Sequence, residues 1–406
     1  MSAEFVLVKV KEVAEIYSGN SINEKLKDTK YTGLDSGVDY ISTKDIGFDS
    51  VINYDNGVKI PYEELQNFKK APKDTVFICA EGGSAGRKIA ISDRELCFVN
   101  KLFATVARSN VLPKFLYYYF KSEDFIEQFK GSMTGIIGGV SINKFKELNV
   151  KLPPISTQQK IVTKLDAIFD EIDKATAAAE ANAKNAEALF QSYLTEVFER
   201  GGKEWIEHVT GDVCSNITDG KHGDCRNDEN SGYYFLSAKD IKNGVLNYLG
   251  ARQINKEDFE ETHRRTNLEY GDVLVTNSGT IGRMAIADND ERTRKTTFQK
   301  SVAILKPMKN IVDSKFLFHL LTSKLSHFNN ISAGAAQKNL LLRDIRSLKI
   351  RMPKELTEQK LISNRFDSMR NQVDRMKDVY KTKTIEVSNL KQSILKKAFS
   401  GELVKE

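Results

Sequence analysis

Apolar positions recur at alternating steps of four and three along two stretches of the chain. The first runs Ile161, Leu165, Ile168, Ile172, Ala175, Ala179, Asn182, Ala186, Leu189 and Tyr193. The second runs Ile362, Phe366, Met369, Val373, Met376, Tyr380, Lys383, Val387, Leu390 and Ile394. This is the rhythm of long helices that pair along one stripe, and a polar seam residue such as Asn182 or Lys383 can fix their register. Thr157 and Thr357 stand ahead of the stripes as candidate N-caps. The rest of the chain reads differently. Short β-rich runs, such as Thr75-Val76-Phe77-Ile78-Cys79 and Asp272-Val273-Leu274-Val275-Thr276, lie between Gly and Asn/Asp turns. One clear helix follows each, near Pro113 and near Ser314. The pattern predicts a mixed α/β (α+β) chain: two globular domains and two long helices that pair as an antiparallel coiled coil.

These parts are one unit used twice. Leu152-Pro153-Pro154-Ile155-Ser156-Thr157-Gln158-Gln159-Lys160-Ile161 reads against Met352-Pro353-Lys354-Glu355-Leu356-Thr357-Glu358-Gln359-Lys360-Leu361. The helix ends match too, Leu189-Phe190-Gln191-Ser192 against Leu390-Lys391-Gln392-Ser393. Within the globular parts, Ser42-Thr43-Lys44-Asp45-Ile46 matches Ser237-Ala238-Lys239-Asp240-Ile241, and Ser84-Ala85-Gly86-Arg87-Lys88 matches Thr280-Ile281-Gly282-Arg283-Met284. The repeat divides the chain at 1–155, 156–200, 201–356 and 357–406. A duplicated binder suits a target that is itself bipartite.

Charge supports pairing of the helices. Ser156–Arg200 carries 5 basic and 8 acidic residues, Thr357–Glu406 carries 11 basic and 7 acidic, and opposite signs favour the mixed pair. The plainer alternative is two separate amphipathic helices, each packed on its own domain. The whole chain, with a net charge of +6, permits nucleic-acid binding without demanding it. Cys79, Cys97, Cys214 and Cys225 show no framework spacing and suit reduced thiols of a cytoplasmic protein. No stretch approaches the roughly 20 apolar residues of a membrane span.

Catalytic patterns are missing from the sequence. Gly82-Gly83-Ser84-Ala85-Gly86-Arg87-Lys88-Ile89 has the wrong spacing for a Walker loop and no hydroxyl after its lysine. Leu152-Pro153-Pro154-Ile155 has neither the amide nor the aromatic of an adenine-methyltransferase motif, and suits a turn before a helix. Cys214, His222 and Cys225 lack a fourth zinc ligand, and Asp219 with His222 lacks an accompanying nucleophile.

In layout and wording the chain resembles the specificity (S) subunits of type I restriction–modification systems. The resemblance rests on the tandem order of domain, helix, domain, helix. It rests also on the Pro-Pro-Ile-Ser-Thr-Gln-Gln-Lys-Ile run, Ser237-Ala238-Lys239-Asp240-Ile241, Thr218-Asp219-Gly220-Lys221-His222 and Gln337-Lys338-Asn339-Leu340. It implies two target recognition domains (1–155 and 201–356), each reading half of a split DNA site, and two spacer helices (156–200 and 357–406) acting as a ruler. It implies a non-catalytic subunit whose partners are double-stranded DNA, methyltransferase (M) subunits, two of them expected, and restriction (R) subunits. S-adenosylmethionine, ATP and magnesium would belong to those partners. The first domain departs from the family wording at Gly135-Ile136-Ile137-Gly138-Gly139, where the second has Ala336-Gln337-Lys338-Asn339.

Polar and basic side chains in turns are the candidates for DNA contact, because Arg and Lys reach guanine edges or phosphates and Asn and Gln reach adenine. In the first domain they are Asn20, Ser42, Lys44, Ser84, Arg87 and Lys88. In the second they are Lys221, His222, Lys239, Arg264, Arg265, Arg283, Gln337 and Lys338. For each, a solvated side chain or one that closes the local fold is the plainer reading. A scaffold with two protein-binding domains is the alternative for the whole chain.

Overall fold

The computed structural model describes residues 5–135, 138–332 and 339–404. It divides into two compact units: 1–179 with 381–406, and 180–380. Each unit thus holds one globular domain, the start of one long helix and the end of the other.

The same sheet is built in both. In the first unit a four-stranded antiparallel sheet runs in the order Ala14–Ser18, Leu102–Ala107, Val76–Cys79, Ile89–Ile91. In the second the order is Cys214–Asp219, Val302–Pro307, Val273–Thr276, Met284–Ile286. The continuous apolar runs seen in the sequence are the central strands, and Val76–Cys79 and Val273–Thr276 are buried throughout. A parallel pair flanks each sheet, Val38–Ile41 with Leu96–Phe98 and Tyr234–Leu236 with Thr296–Phe298. An antiparallel ribbon, Val6–Lys9 with Asn149–Leu152 or Ile206–Val209 with Lys349–Met352, leads into each long helix.

The long helices are Ile155–Arg200 and Leu356–Phe399. Thr157 and Thr357 lie inside the first turn rather than capping it. What fastens each helix start is a buried glutamine. Gln158 accepts from the Leu112 N–H at 2.9 Å and donates to the carbonyls of Asn110 at 3.2 Å and Pro153 at 2.9 Å. Gln359 accepts from the Asp313 N–H at 2.8 Å and donates to the carbonyls of Ile311 at 3.0 Å and Pro353 at 2.9 Å. So Gln158, not Gln159, corresponds to Gln359. The written alignment at the helix start is one residue out, because the turn after Pro353 holds one residue more than the turn after Pro153.

The two helices run antiparallel within each unit. In the first, Ile161, Leu165 and Phe169 share a core with Leu395, Ala398 and Phe399. In the second, Phe190, Leu194 and Phe198 share one with Phe366 and Val373. The Phe399 ring meets Phe115 edge-on at 5.5 Å, and Phe198 meets Phe316 likewise at 5.3 Å. Opposite charges meet across the pair. Arg370 grips Glu187 with both arms, at 2.9 and 2.8 Å, Lys377 joins them, and Lys391 reaches Asp173.

The expected seam holds at Ile161, Leu165, Phe366 and Val373, which are buried, and Ile168, Ile172, Ile362 and Met369 pack against the same cores. Ala179 and Tyr380 are half-buried. It fails at Leu189, 70% exposed, and Leu390, 49% exposed, and Ala175 and Met376 are exposed as well. Phe190 takes the place of Leu189, and Leu395 joins the expected Ile394 in the core at the end of the second helix. The cause is helical drift: a straight helix of 3.6 residues per turn moves about 20° per heptad away from a strict seven-residue repeat.

Candidate nucleic-acid interface

At one end of each four-stranded sheet the repeated motifs converge, and glycine makes this possible. The chain leaves the first strand through Gly19-Asn20 or Gly220-Lys221, where the Asn20 and Lys221 N–H groups donate to the carbonyls of Phe98, at 2.9 Å, and Phe298, at 2.7 Å. A Cβ on either glycine would collide with that same carbonyl oxygen. The next turns, Phe98–Lys101 and Phe298–Ser301, lie between this loop and the Ser-x-x-Asp loop: Val99 donates to the Ile41 carbonyl at 2.9 Å, and Gln299 to the Leu236 carbonyl at 2.8 Å. A last segment returns beside the sheet end, with Val140 donating to the Ala80 carbonyl at 2.9 Å and Leu340 to the Asn277 carbonyl at 2.8 Å.

Several candidates turn out to be committed to this framework. The Asn20 amide holds its neighbours, accepting from the Lys69 N–H at 2.7 Å and donating to the Asn67 carbonyl at 3.4 Å. The Ser42 hydroxyl and N–H both donate to one oxygen of buried Asp45 at 2.7 Å, and Ser237 does the same to Asp240 at 3.0 and 2.8 Å. The repeated Ser-x-x-Asp wording is therefore a self-closing turn. Lys221 points back into the domain, 17% exposed, between Asp258 at 3.4 Å and Glu261 at 2.8 Å. These carboxylates raise its pKa, the Glu261 hydrogen bond most, so its charge is spent on helix Lys256–Thr266. Ser84 lies in a turn where its carbonyl accepts from Arg87 and Lys88.

Of the other described candidates, all but the half-buried Lys88 are exposed. Lys44 and Lys239 are exposed within the Ser-x-x-Asp turns. Lys88 donates to the Thr43 carbonyl at 2.9 Å and Arg283 to the Ala238 carbonyl at 3.2 Å, so two motifs distant in sequence touch in both units. Arg87 is exposed and lies 4.9 Å from the ring centre of Phe48. In the second unit His222, 65% exposed, meets Asp219 at 3.1 Å, and Arg265 donates to the Gly220 carbonyl. Arg264 is exposed on the same helix. Gln337 and Lys338 lie outside the described residues. Phe48 was missed by the sequence reading, although a phenylalanine inside Gly47-Phe48-Asp49-Ser50 is a turn residue too apolar for a turn.

Arg283 also lines a cleft of about 1000 Å³ in the second unit, with Lys242, Lys315, His319, Asp367 and Arg370. There Asp367 binds buried His319 at 2.8 Å and Lys315 at 2.6 Å, which lowers the Asp367 pKa. The equivalent in the first unit is Asp166 with Tyr118 at 2.6 Å and Lys114 at 2.7 Å. The repetition marks this cluster as the clasp between domain and helix. Among the described residues no group of three or more His, Cys, Asp or Glu could hold a metal ion, and no helix is long and apolar enough to cross a membrane.

A model of the type I restriction modification DNA specificity domain matches the chain twice, over residues 3–182 and 203–386. The chain belongs to this family. It is 25% identical over 290 residues to the EcoBI specificity subunit of a type I restriction enzyme from Escherichia coli, covering 65% of this chain and 60% of that one. It is 22% identical over 312 residues to the StySPI specificity subunit from Salmonella potsdam, covering 72% and 66%. The chain thus spans less than two thirds of the length of either relative. Two solved structures share its fold. One, from a type I R-M system studied for complex assembly and conformational transition, has a TM-score of 0.76 at 19% identity, covering 98% of both chains. The other is the HsdS subunit from Thermoanaerobacter tengcongensis, with a TM-score of 0.56 at 20% identity, covering 98% of this chain and 97% of that one.

Proposed function

We propose that this chain is the DNA-sequence-recognition subunit of a type I restriction–modification complex. Each unit reads one half of a bipartite duplex target, and the chain brings methyltransferase subunits, two of them, and restriction subunits to that site. The observation that carries this reading is the double match to the specificity domain, one per unit. The chain itself does no chemistry in this reading. S-adenosylmethionine, ATP and magnesium are bound by the partner subunits, and the complex works in the cytoplasm. The length of the paired helices sets the gap between half-sites. The alternative, a scaffold with two protein-binding domains, is not favoured by kinship with specificity subunits.

Methylome sequencing tests the proposal. A host expressing the chain with its methyltransferase subunits should gain one methylated bipartite motif, absent when the chain is deleted. Methylation that is unchanged by the deletion would reject the reading.

A further inference from the structure

The turn after the Ser-x-x-Asp loop differs between the units. Its base is the same: Asn53 donates to the Asp45 carbonyl at 2.7 Å, and Asn247 to the Asp240 carbonyl at 2.8 Å. In the second unit a hairpin closes there between Ile241–Lys242 and Val245–Leu246. Its turn residues, Asn243 and Gly244, have φ of 52° and 81°, the usual signature of a two-residue hairpin turn. The first unit has a longer tip, Gly47 to Val51, and an apolar one. Phe48 and Val51 are each 62% exposed.

Nothing in the fold requires a phenyl ring at that place. The tip is held without the ring: Gly47 donates to the Val51 carbonyl at 2.9 Å, Asp49 accepts from the Val51 N–H at 3.1 Å, and Ser50 accepts from Lys121 at 2.9 Å. A ring left in water forgoes the burial that ordinarily places phenylalanine in a core. Cations surround it instead. Arg87 is 4.9 Å and Lys88 5.2 Å from the ring centre, and Lys44 is exposed on the preceding turn. An apolar tip between positive charges complements one surface in particular, the groove of a duplex, where base edges lie between rows of phosphates.

We propose that Phe48 is a DNA contact of the first unit, its ring packed on base edges while Arg87 and Lys44 bind the flanking phosphates. Lys88, tied to the Thr43 carbonyl, positions the tip. The second unit presents Lys242 and Asn243 there, so the apolar contact serves one half-site only. This inference rests on the DNA-reading function proposed above.

The test uses the full chain assembled with its methyltransferase subunits, on duplexes carrying its methylated motif or a scrambled version. Phe48→Ala should weaken binding to the motif about tenfold, the scale of losing one aromatic or base-edge contact. Binding to scrambled DNA, the salt slope and the thermal midpoint should stay as in the wild type, and Phe48→Leu should restore most of the loss. Arg87→Gln should weaken both duplexes and reduce the salt slope by about 1. Equal binding of the motif by Phe48→Ala and wild type would overturn the contact. A wild-type complex without preference for the motif would overturn the DNA-reading function instead.

Discussion

Asn20 and Lys221 occupy the same place in the two units. Each follows a glycine pressed against a phenylalanine carbonyl, and each N–H closes the same backbone bond. Their side chains do unlike work. Asn20 stitches Asn67 and Lys69 to the first strand, whereas Lys221 anchors Lys256–Thr266, a helix of 11 residues. The first unit has there only the short 3-10 turn Tyr62–Asn67. A common backbone thus carries different surfaces at the same point, as the proposed reading of two unlike half-sites would require. The parts that resist divergence are internal: the glutamine clasp, the aspartate clasp on the helix and the self-closing Ser-x-x-Asp turn.

The largest expected effect breaks that comparison outright. Replacing residues 1–155 by the first domain of another family member should change one half-site and leave the other as it was. Methylome sequencing of the chimera reads this out. Changes in both half-sites would show that the units do not read independently.

Next come the shared parts. Gln158→Ala strands the Leu112 N–H and two carbonyls in a closed site, and Gln359→Ala strands their equivalents. Each should cost about 3 kcal/mol, the scale of buried groups left unpaired. Urea unfolding would show it, and a loss below about 1 kcal/mol in either unit would mean that the clasps are not equivalent.

A smaller effect separates the units by pH. The Arg370 guanidinium, with help from Lys377, holds the Glu187 carboxyl at about 2 against an ordinary 4.5. A depressed carboxylate stabilises the fold above its unfolded pKa and loses that contribution as pH falls. The stabilisation is therefore complete above about pH 5 and disappears between about 4.5 and 2. Glu187→Gln should lose about 1 kcal/mol at neutral pH, after allowance for solvent screening, and nothing near pH 2. In the first unit Asp173, 65% exposed, faces Lys391, and Asp173→Asn should change stability by less than about 0.5 kcal/mol at neutral pH. Denaturation of both variants across this range would decide it.

Much of this organisation was legible in the sequence, because a repeat and a heptad rhythm are long-range patterns that survive local error. The antiparallel helices, their opposite charges and the central strands all carried such signals. Register did not. A one-residue difference after Pro153 and Pro353 hid the equivalence of Gln158 and Gln359, and helical drift turned Leu189 and Leu390 outward. Side-chain duty was also hidden. Nothing near Lys221 in sequence announces Asp258 or Glu261, which reach it only after the chain folds back. Phe48 was illegible because an apolar residue in a turn carries no hydrogen-bonding group to mark it as a DNA contact.

Two units of one fold, each reading one half-site, would make the chain's preference for DNA bipartite. Selection from a pool of random duplexes by the chain assembled with its methyltransferase subunits tests it most directly. Two such readers should enrich one motif with two specified halves and a fixed unspecified gap, with binding that weakens steeply as salt rises. Recovery of a pool as random as the one supplied would contradict it.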